Sequence, residues 1–141
     1  MSKRSFQKVV AFIDGASRGN PGPAAIGVVF QDKEGRELKR LSKKAGITTN
    51  NVAEYLALLI AMQEALILQV EELEVFTDSE LLASQYQGEY KVKDERLKIL
   101  HWLAMHLRGG FKQVSVTHIP REKNRLADKE ANKALDQDLW L

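Results

Sequence analysis

The chain has 141 residues, 44% of them hydrophobic and 28% charged, with a formal net charge of +2 and no cysteine. Those proportions fit a globular chain with one well-buried core and leave little room for a second, argue against disorder, and exclude disulfides and zinc–thiolate centres outright. No apolar run reaches membrane-spanning length, and the first eight residues lack the apolar core and cleavage site of a signal peptide, so one cytoplasmic domain over residues 1–141 is expected. The small positive charge permits nucleic-acid binding without announcing it; the clusters Lys39, Arg40, Lys43, Lys44 and Lys91, Lys93, Arg96, Lys98 read as solvated faces.

The first element, residues 8–14, contains five consecutive apolar residues from Val9 to Ile13 and reads as a strand buried on both faces, central in a sheet. It is expected to end on Asp14, followed by a turn carrying Gly15, Gly19 and Gly22, where backbone can approach a ligand closely. Residues 24–31 form a second strand, with Ile26, Val28 and Phe30 on one face. Asp32 to Gly35 makes a compact hairpin connection into a third strand over residues 36–44, whose Lys and Arg suit a sheet edge. Thr49, Asn50 and Asn51 offer caps to a helix over residues 52–68, with Glu54 in its first turn and Glu64 interrupting an apolar stripe.

Residues 73–78 read as a short strand ending on Asp78, with a helix following at once from Ser79 to about Gln87. Strand, carboxylate, helix is the geometry of a parallel crossover ending at the carboxyl edge of a sheet. A helix over residues 94–108, stopped by Gly109 and Gly110, carries His101 and His106 as surface or boundary residues. A last strand spans residues 114–118, and a loop leads to a helix over residues 124–135 containing Asp128. The tail, residues 136–141, ends Leu139-Trp140-Leu141 and is expected to dock on the domain, because an exposed Trp140 forfeits roughly 2–3 kcal/mol of burial.

This order implies an α/β fold, a five-stranded mixed sheet flanked by helices, in which Asp14, Glu54, Asp78 and Asp128 can reach one sheet edge. Four converging carboxylates repel, by about 4 kcal/mol for a pair about 4 Å apart at an effective dielectric near 20. Hard divalent cations relieve this, and an all-oxygen donor set without cysteine selects Mg²⁺ or Mn²⁺. Two such ions roughly 3.5–4 Å apart are the arrangement that serves phosphodiester cleavage.

Four blocks, running from Asp14 to Gly22, from Thr49 to Glu54, from Thr77 to Ser79, and from His118 to Asp128, together resemble type 1 ribonuclease H, over about residues 8–135 and in that family's order. The resemblance implies a ribonuclease H-like fold and endonucleolytic hydrolysis of the RNA strand of an RNA/DNA hybrid, leaving 3′-hydroxyl and 5′-phosphate ends. It further implies that Asp14, Glu54, Asp78 and Asp128 are metal ligands, with two ions bound alongside substrate. His118 matches the family's mobile-loop histidine, which serves proton transfer or product release. Gly15, Ser17, Asn20, Asn50, Asn51 and Ser79 fall where the family meets the hybrid backbone, and short polar groups suit recognition of the 2′-hydroxyl and groove shape. The chain matches a compact form, without the basic, Trp-containing insertion of some bacterial members or an N-terminal hybrid-binding module; residues 88–96 form a shorter substitute for the former.

Two other readings stay open on sequence alone. One is a different nucleic-acid cut on the same fold, such as a junction resolvase or proofreading exonuclease, whose carboxylates lie in other sequence contexts. The other is a non-catalytic binding module, whose signature would be loss of a carboxylate. A monomer is expected, with the apolar tail as a route to self-association.

Overall fold

The computed structural model describes residues 6–137. Five strands come in the order β1 (Phe6–Ser17), β2 (Gly22–Asp32), β3 (Glu37–Thr48), β4 (Val70–Thr77) and β5 (Gln113–His118). The helices are α1 (Asn50–Ile67), α2 (Glu80–Tyr86), α3 (Glu95–Arg108) and α4 (Arg125–Asp136), with a single 3₁₀ turn at Arg121–Lys123. The sheet order is β3-β2-β1-β4-β5, antiparallel from β3 to β1 and parallel from β1 through β5. The expected five-stranded mixed sheet is therefore present, with β1 at its centre and the basic β3 at its edge.

Alternation along the strands divides the sheet into two faces. Val9, Ala11 and Ile13 of β1, Ile26, Val28 and Phe30 of β2, and Leu73 and Val75 of β4 are buried in the main core with Tyr55, Leu58 and Met62 of α1. Helix α3 joins that layer through Leu97 and Ala104. The opposite face of β1 and β2 is covered by α4, whose buried Ala127, Ala131 and Ala134 recur at helical spacing. Small side chains let α4 lie close, and Gly27 completes the fit. A Cβ at Gly27 would stand 2.1 Å from the Ala127 carbonyl oxygen and 2.6 Å from the Ala131 amide nitrogen. Arg40 then fastens β3 to this helix through Glu130 at 3.1 Å, and the Ser42 hydroxyl donates to the Glu130 carbonyl.

Several element boundaries differ from expectation, among them β4, which begins at Val70 rather than residue 73 and ends at Thr77, one residue before Asp78. Strand β1 does not end at Asp14, because residues 14–17 stay paired with β2 up to Ser17↔Ala24; only the parallel ladder to β4 stops, at Ile13↔Thr77. Strand β3 runs on to Thr48 instead of ending near residue 44, since its pairing with β2 persists to Gly22↔Thr48. Helix α1 starts at Asn50 under a Thr49 cap, so Glu54 belongs to its second turn rather than its first. The apolar tail residues Leu139, Trp140 and Leu141 lie outside the described residues. No helix among those described is long and apolar enough to cross a membrane.

The close approach of α4 yields a direct expectation. Gly27→Ala should lower the unfolding free energy by roughly 1–3 kcal/mol, the usual cost of overpacking, read from the midpoint of a urea unfolding curve. A loss below about 0.5 kcal/mol, the range of surface substitutions, would mean that α4 lies farther from the sheet.

Candidate active site

The β1–β4 ladder ends at Ile13↔Thr77, and the next residue on each chain is an aspartate. Because the strands are parallel, both chains leave the ladder at the same sheet edge, which puts Asp14 and Asp78 side by side. Glu54 arrives from α1. Its Oε1 accepts a 2.7 Å hydrogen bond from the Gly15 amide. That approach requires glycine at position 15, since a Cβ there would lie 2.2 Å from the Ala53 carbonyl carbon. Gly15 thus serves the packing of α1 on β1, and its N–H is committed to Glu54.

Ligand oxygens of Asp14, Glu54 and Asp78 all lie within 4.8 Å of one another. Oxygens around one hard cation stand 2.0–2.6 Å from it, so opposite ligands are at most about 5 Å apart. The donor set therefore fits Mg²⁺ or Mn²⁺ in both chemistry and span. Asp128 comes from α4, the layer that Gly27 admits, and lies at the rim of the group. It interacts with the Asp14 carboxyl, while its Oδ1 is 3.3 Å from Asn132 Nδ2 and 4.0 Å from the Arg121 guanidinium.

Asp14 and Glu54 are only 5% and 6% exposed, and without a cation their negative charges are poorly solvated. Burial first, then the charges of Glu54, Asp78 and Asp128, push the Asp14 carboxyl up to about 9. Burial likewise pushes Glu54 up to about 8, against the Gly15 hydrogen bond that favours its charged form.

The carboxylates stand in a cleft of about 530 Å³, lined also by Gly15, Ser17, Asn50, Asn51 and Ser79. Five of the six residues expected to meet a hybrid are therefore on its wall. Asn20 is not; its Oδ1 accepts from the Asn50 amide at 3.0 Å, while Asn50 Oδ1 accepts from the Ser17 amide at 3.1 Å. The two asparagines thus knit the β1–β2 turn to the start of α1. Ser79 caps α2, its Oγ accepting from the Leu82 amide at 3.1 Å. His118 ends β5 opposite Thr77, exposed and outside the cleft lining. His101 Nε2 lies 3.2 Å from the Gln85 carbonyl and His106 stacks on Trp102, both away from the cleft, as expected of surface or boundary residues.

Sequence reasoning missed Arg18, Arg121 and Asn132 on the cleft wall, and the buried Asn124 beside it. Asn132 sits one helical turn after Asp128, a spacing that could have pointed to it. Arg121 and Asn124 lay inside the block from His118 to Asp128 without a role.

The raised carboxyls predict how the metal-free protein responds to pH. A carboxyl whose folded pKa exceeds its unfolded value near 4 keeps a proton that the unfolded chain has released, so stability falls as pH climbs from about 4 towards 8 or 9. In chelator, Asp14→Asn should exceed the wild type in unfolding free energy at pH 8 by at least about 1.4 kcal/mol, one unit of such a shift. The advantage should vanish near pH 4; a pH-independent difference in the two unfolding curves would contradict it.

Comparison with known proteins accords with this geometry. The family described as reverse transcriptase-like matches residues 12–134. A ribonuclease HI of Halobacterium salinarum is 41% identical over 129 residues, 92% of this chain and 65% of that protein; a bifunctional protein of Mycobacterium tuberculosis, also 41% identical, is matched over 36% of its length. The chain thus spans about two thirds or less of these relatives. The crystal structure of RNase H1 from Halobacterium salinarum superposes with a TM-score of 0.89 at 41% identity, covering 92% of this chain and 98% of that one. LC11-RNase H1, solved in complex with an RNA/DNA hybrid, gives 0.87 at 43% identity over 91% and 96% of the two chains. With this fold, these carboxylates and this likeness across nearly its whole length, the chain belongs to the type 1 ribonuclease H family.

Proposed function

We propose that residues 1–141 form one ribonuclease H domain that acts as a monomer in the cytoplasm and hydrolyses the RNA strand of RNA/DNA hybrids, leaving 3′-hydroxyl and 5′-phosphate ends. The observation that carries this reading is the convergence of Asp14, Glu54 and Asp78 within 4.8 Å from three separate elements, at the floor of an open cleft. The hybrid bound to LC11-RNase H1 supports the substrate class.

Asp14, Glu54, Asp78 and Asp128 would hold two ions, Mg²⁺ or Mn²⁺, with Asp14 and Asp78 the most central of the four. Such ions supply, when bound, activation of the attacking water and stabilisation of the leaving oxygen. The chain contributes position. Asp14 and Asp78 are delivered by adjacent strands, and Gly15 pins Glu54 against them. Ser17, Asn50, Asn51 and Ser79, on the cleft wall, meet the hybrid backbone, and Asn20 braces Asn50. His118, at the neighbouring strand end, assists proton transfer or product release from an exposed position.

End-labelled RNA/DNA hybrid, double-stranded RNA, double-stranded DNA and single-stranded RNA, each with Mg²⁺, Mn²⁺ or chelator, test the reading. Cutting confined to the RNA strand of the hybrid and abolished by chelator is expected. Asp14→Asn and Asp78→Asn should each cost more than the roughly 10–100-fold that loss of an outer-shell partner costs. Unchanged cleavage by either variant would remove the proposal, and tight hybrid binding without any cutting would leave a binding module.

Metal binding to the folded chain alone should also raise its melting temperature, by an amount equivalent to roughly 2.7 kcal/mol at 100 times Kd. Glu54→Gln combined with Asp128→Asn should shrink that shift; if calorimetry finds it undiminished, the ions bind elsewhere.

A further inference from the structure

Asn124 is almost wholly enclosed beside the cleft, at 1% exposure. It sits between the 3₁₀ turn and α4, and its side chain reaches back to the point where β1 and β4 part. Nδ2 donates to the Ile13 carbonyl at 2.8 Å and to Asp78 Oδ2 at 3.3 Å. A primary amide carries two N–H donors, so one group serves both partners. Ile13 is the last β1 residue of the parallel ladder and immediately precedes Asp14; Asp78 is the first residue beyond the ladder on the β4 side. The amide thus spans the fork between the two aspartates.

The other half of the same amide points to what this contact is for. Among the described residues, Asn124 Oδ1 is the one buried side-chain oxygen or nitrogen without a hydrogen-bond partner. An unpaired buried carbonyl is unfavourable, and an apolar side chain of similar size would fill the same space without it. Asparagine at this position is therefore poorly suited to packing alone, whereas its two donors suit the task of holding one carboxylate oxygen of Asp78 against the β1 backbone.

We propose that Asn124 is a positioning residue that sets the separation and orientation of Asp78 relative to Asp14, and so the span of the divalent-ion site. The inference rests on the reading of the cleft as that site. Asn124 acts through Asp78, by holding its Oδ2 beside the Ile13 carbonyl at the end of the ladder. It also couples α4 to the ladder end, because the same loop that buries Asn124 carries the chain into the helix bearing Asp128.

Asn124→Leu tests this, keeping the number and branching of side-chain heavy atoms while deleting both donors and the unpaired oxygen. In calorimetric titration of the metal-free protein, Mn²⁺ affinity should fall about 10–100-fold, as for loss of a partner that orients a metal ligand. With hybrid, kcat should drop while KM changes little. A purely structural role gives the opposite pattern, a lower metal-free melting temperature with Mn²⁺ affinity and kcat unchanged, and would overturn the proposal. Should Asn124→Leu not fold, Asn124→Ala, which cannot overpack, is measured the same way, and an unchanged Kd for Mn²⁺ overturns the proposal equally. Wild-type protein that cuts no hybrid but binds Mn²⁺ more tightly than the variant would remove the proposed activity and leave this inference standing. Wild-type protein that does not bind Mn²⁺ would overturn both.

Discussion

Mutual repulsion among buried carboxylates is the constraint around which this structure is arranged. Asp14, Glu54 and Asp78 crowd their oxygens within 4.8 Å in a place where two of them are almost wholly buried. Left to relax, such groups would separate or neutralise one another by taking up protons, since each charged pair about 4 Å apart costs around 4 kcal/mol at an effective dielectric near 20. The scaffold prevents separation. One aspartate belongs to the central strand, one follows directly on its parallel neighbour, and the glutamate is tied to the strand backbone by the Gly15 amide. What remains is a strong demand for a cation.

Two glycines convert sheet geometry into site geometry. Gly15 admits the backbone of α1 against one face of β1, and Gly27 admits the backbone of α4 against the opposite face of β2. In the β1–β2 ladder Gly27 is the partner of Asp14 itself. Helices on opposite sides of the sheet thereby deliver Glu54 and Asp128 to one edge, and neither approach tolerates a Cβ. The absent side chains serve helix packing here.

The polar residues around the cleft are largely occupied with one another. Asn20 and Asn50 link the β1–β2 turn to α1, Thr49 and Ser79 cap helices, and Asn124 holds the ladder fork. Their hydrogen bonds fix a wall of backbone and short side chains before any substrate arrives. A preorganised wall of this kind suits recognition of a nucleic-acid backbone by shape and sugar hydroxyls more than by base edges.

Much of this was readable in the chain itself. Apolar runs and alternation located the strands, helical spacing located the helices, and the order of elements specified a mixed sheet with Asp14 and Asp78 at its carboxyl edge, because apolar periodicity is a local property. The sequence also singled out the four acidic residues, which recur at element ends in contexts that match a known family. Only the tertiary structure decided that β1 continues past Asp14, since that depends on pairing with β2; that Gly15 and Gly27 are packing positions, since a missing Cβ has no meaning until a helix lies above it; and that Asn124 bridges two strands 46 and 111 residues away. It likewise decided that Asn20 braces Asn50 instead of lining the cleft, and that His118 stands outside it. Sequence carries the period and the chemistry of each residue, whereas the partner of a side chain is set by which distant segments the fold brings to within 3 Å of it.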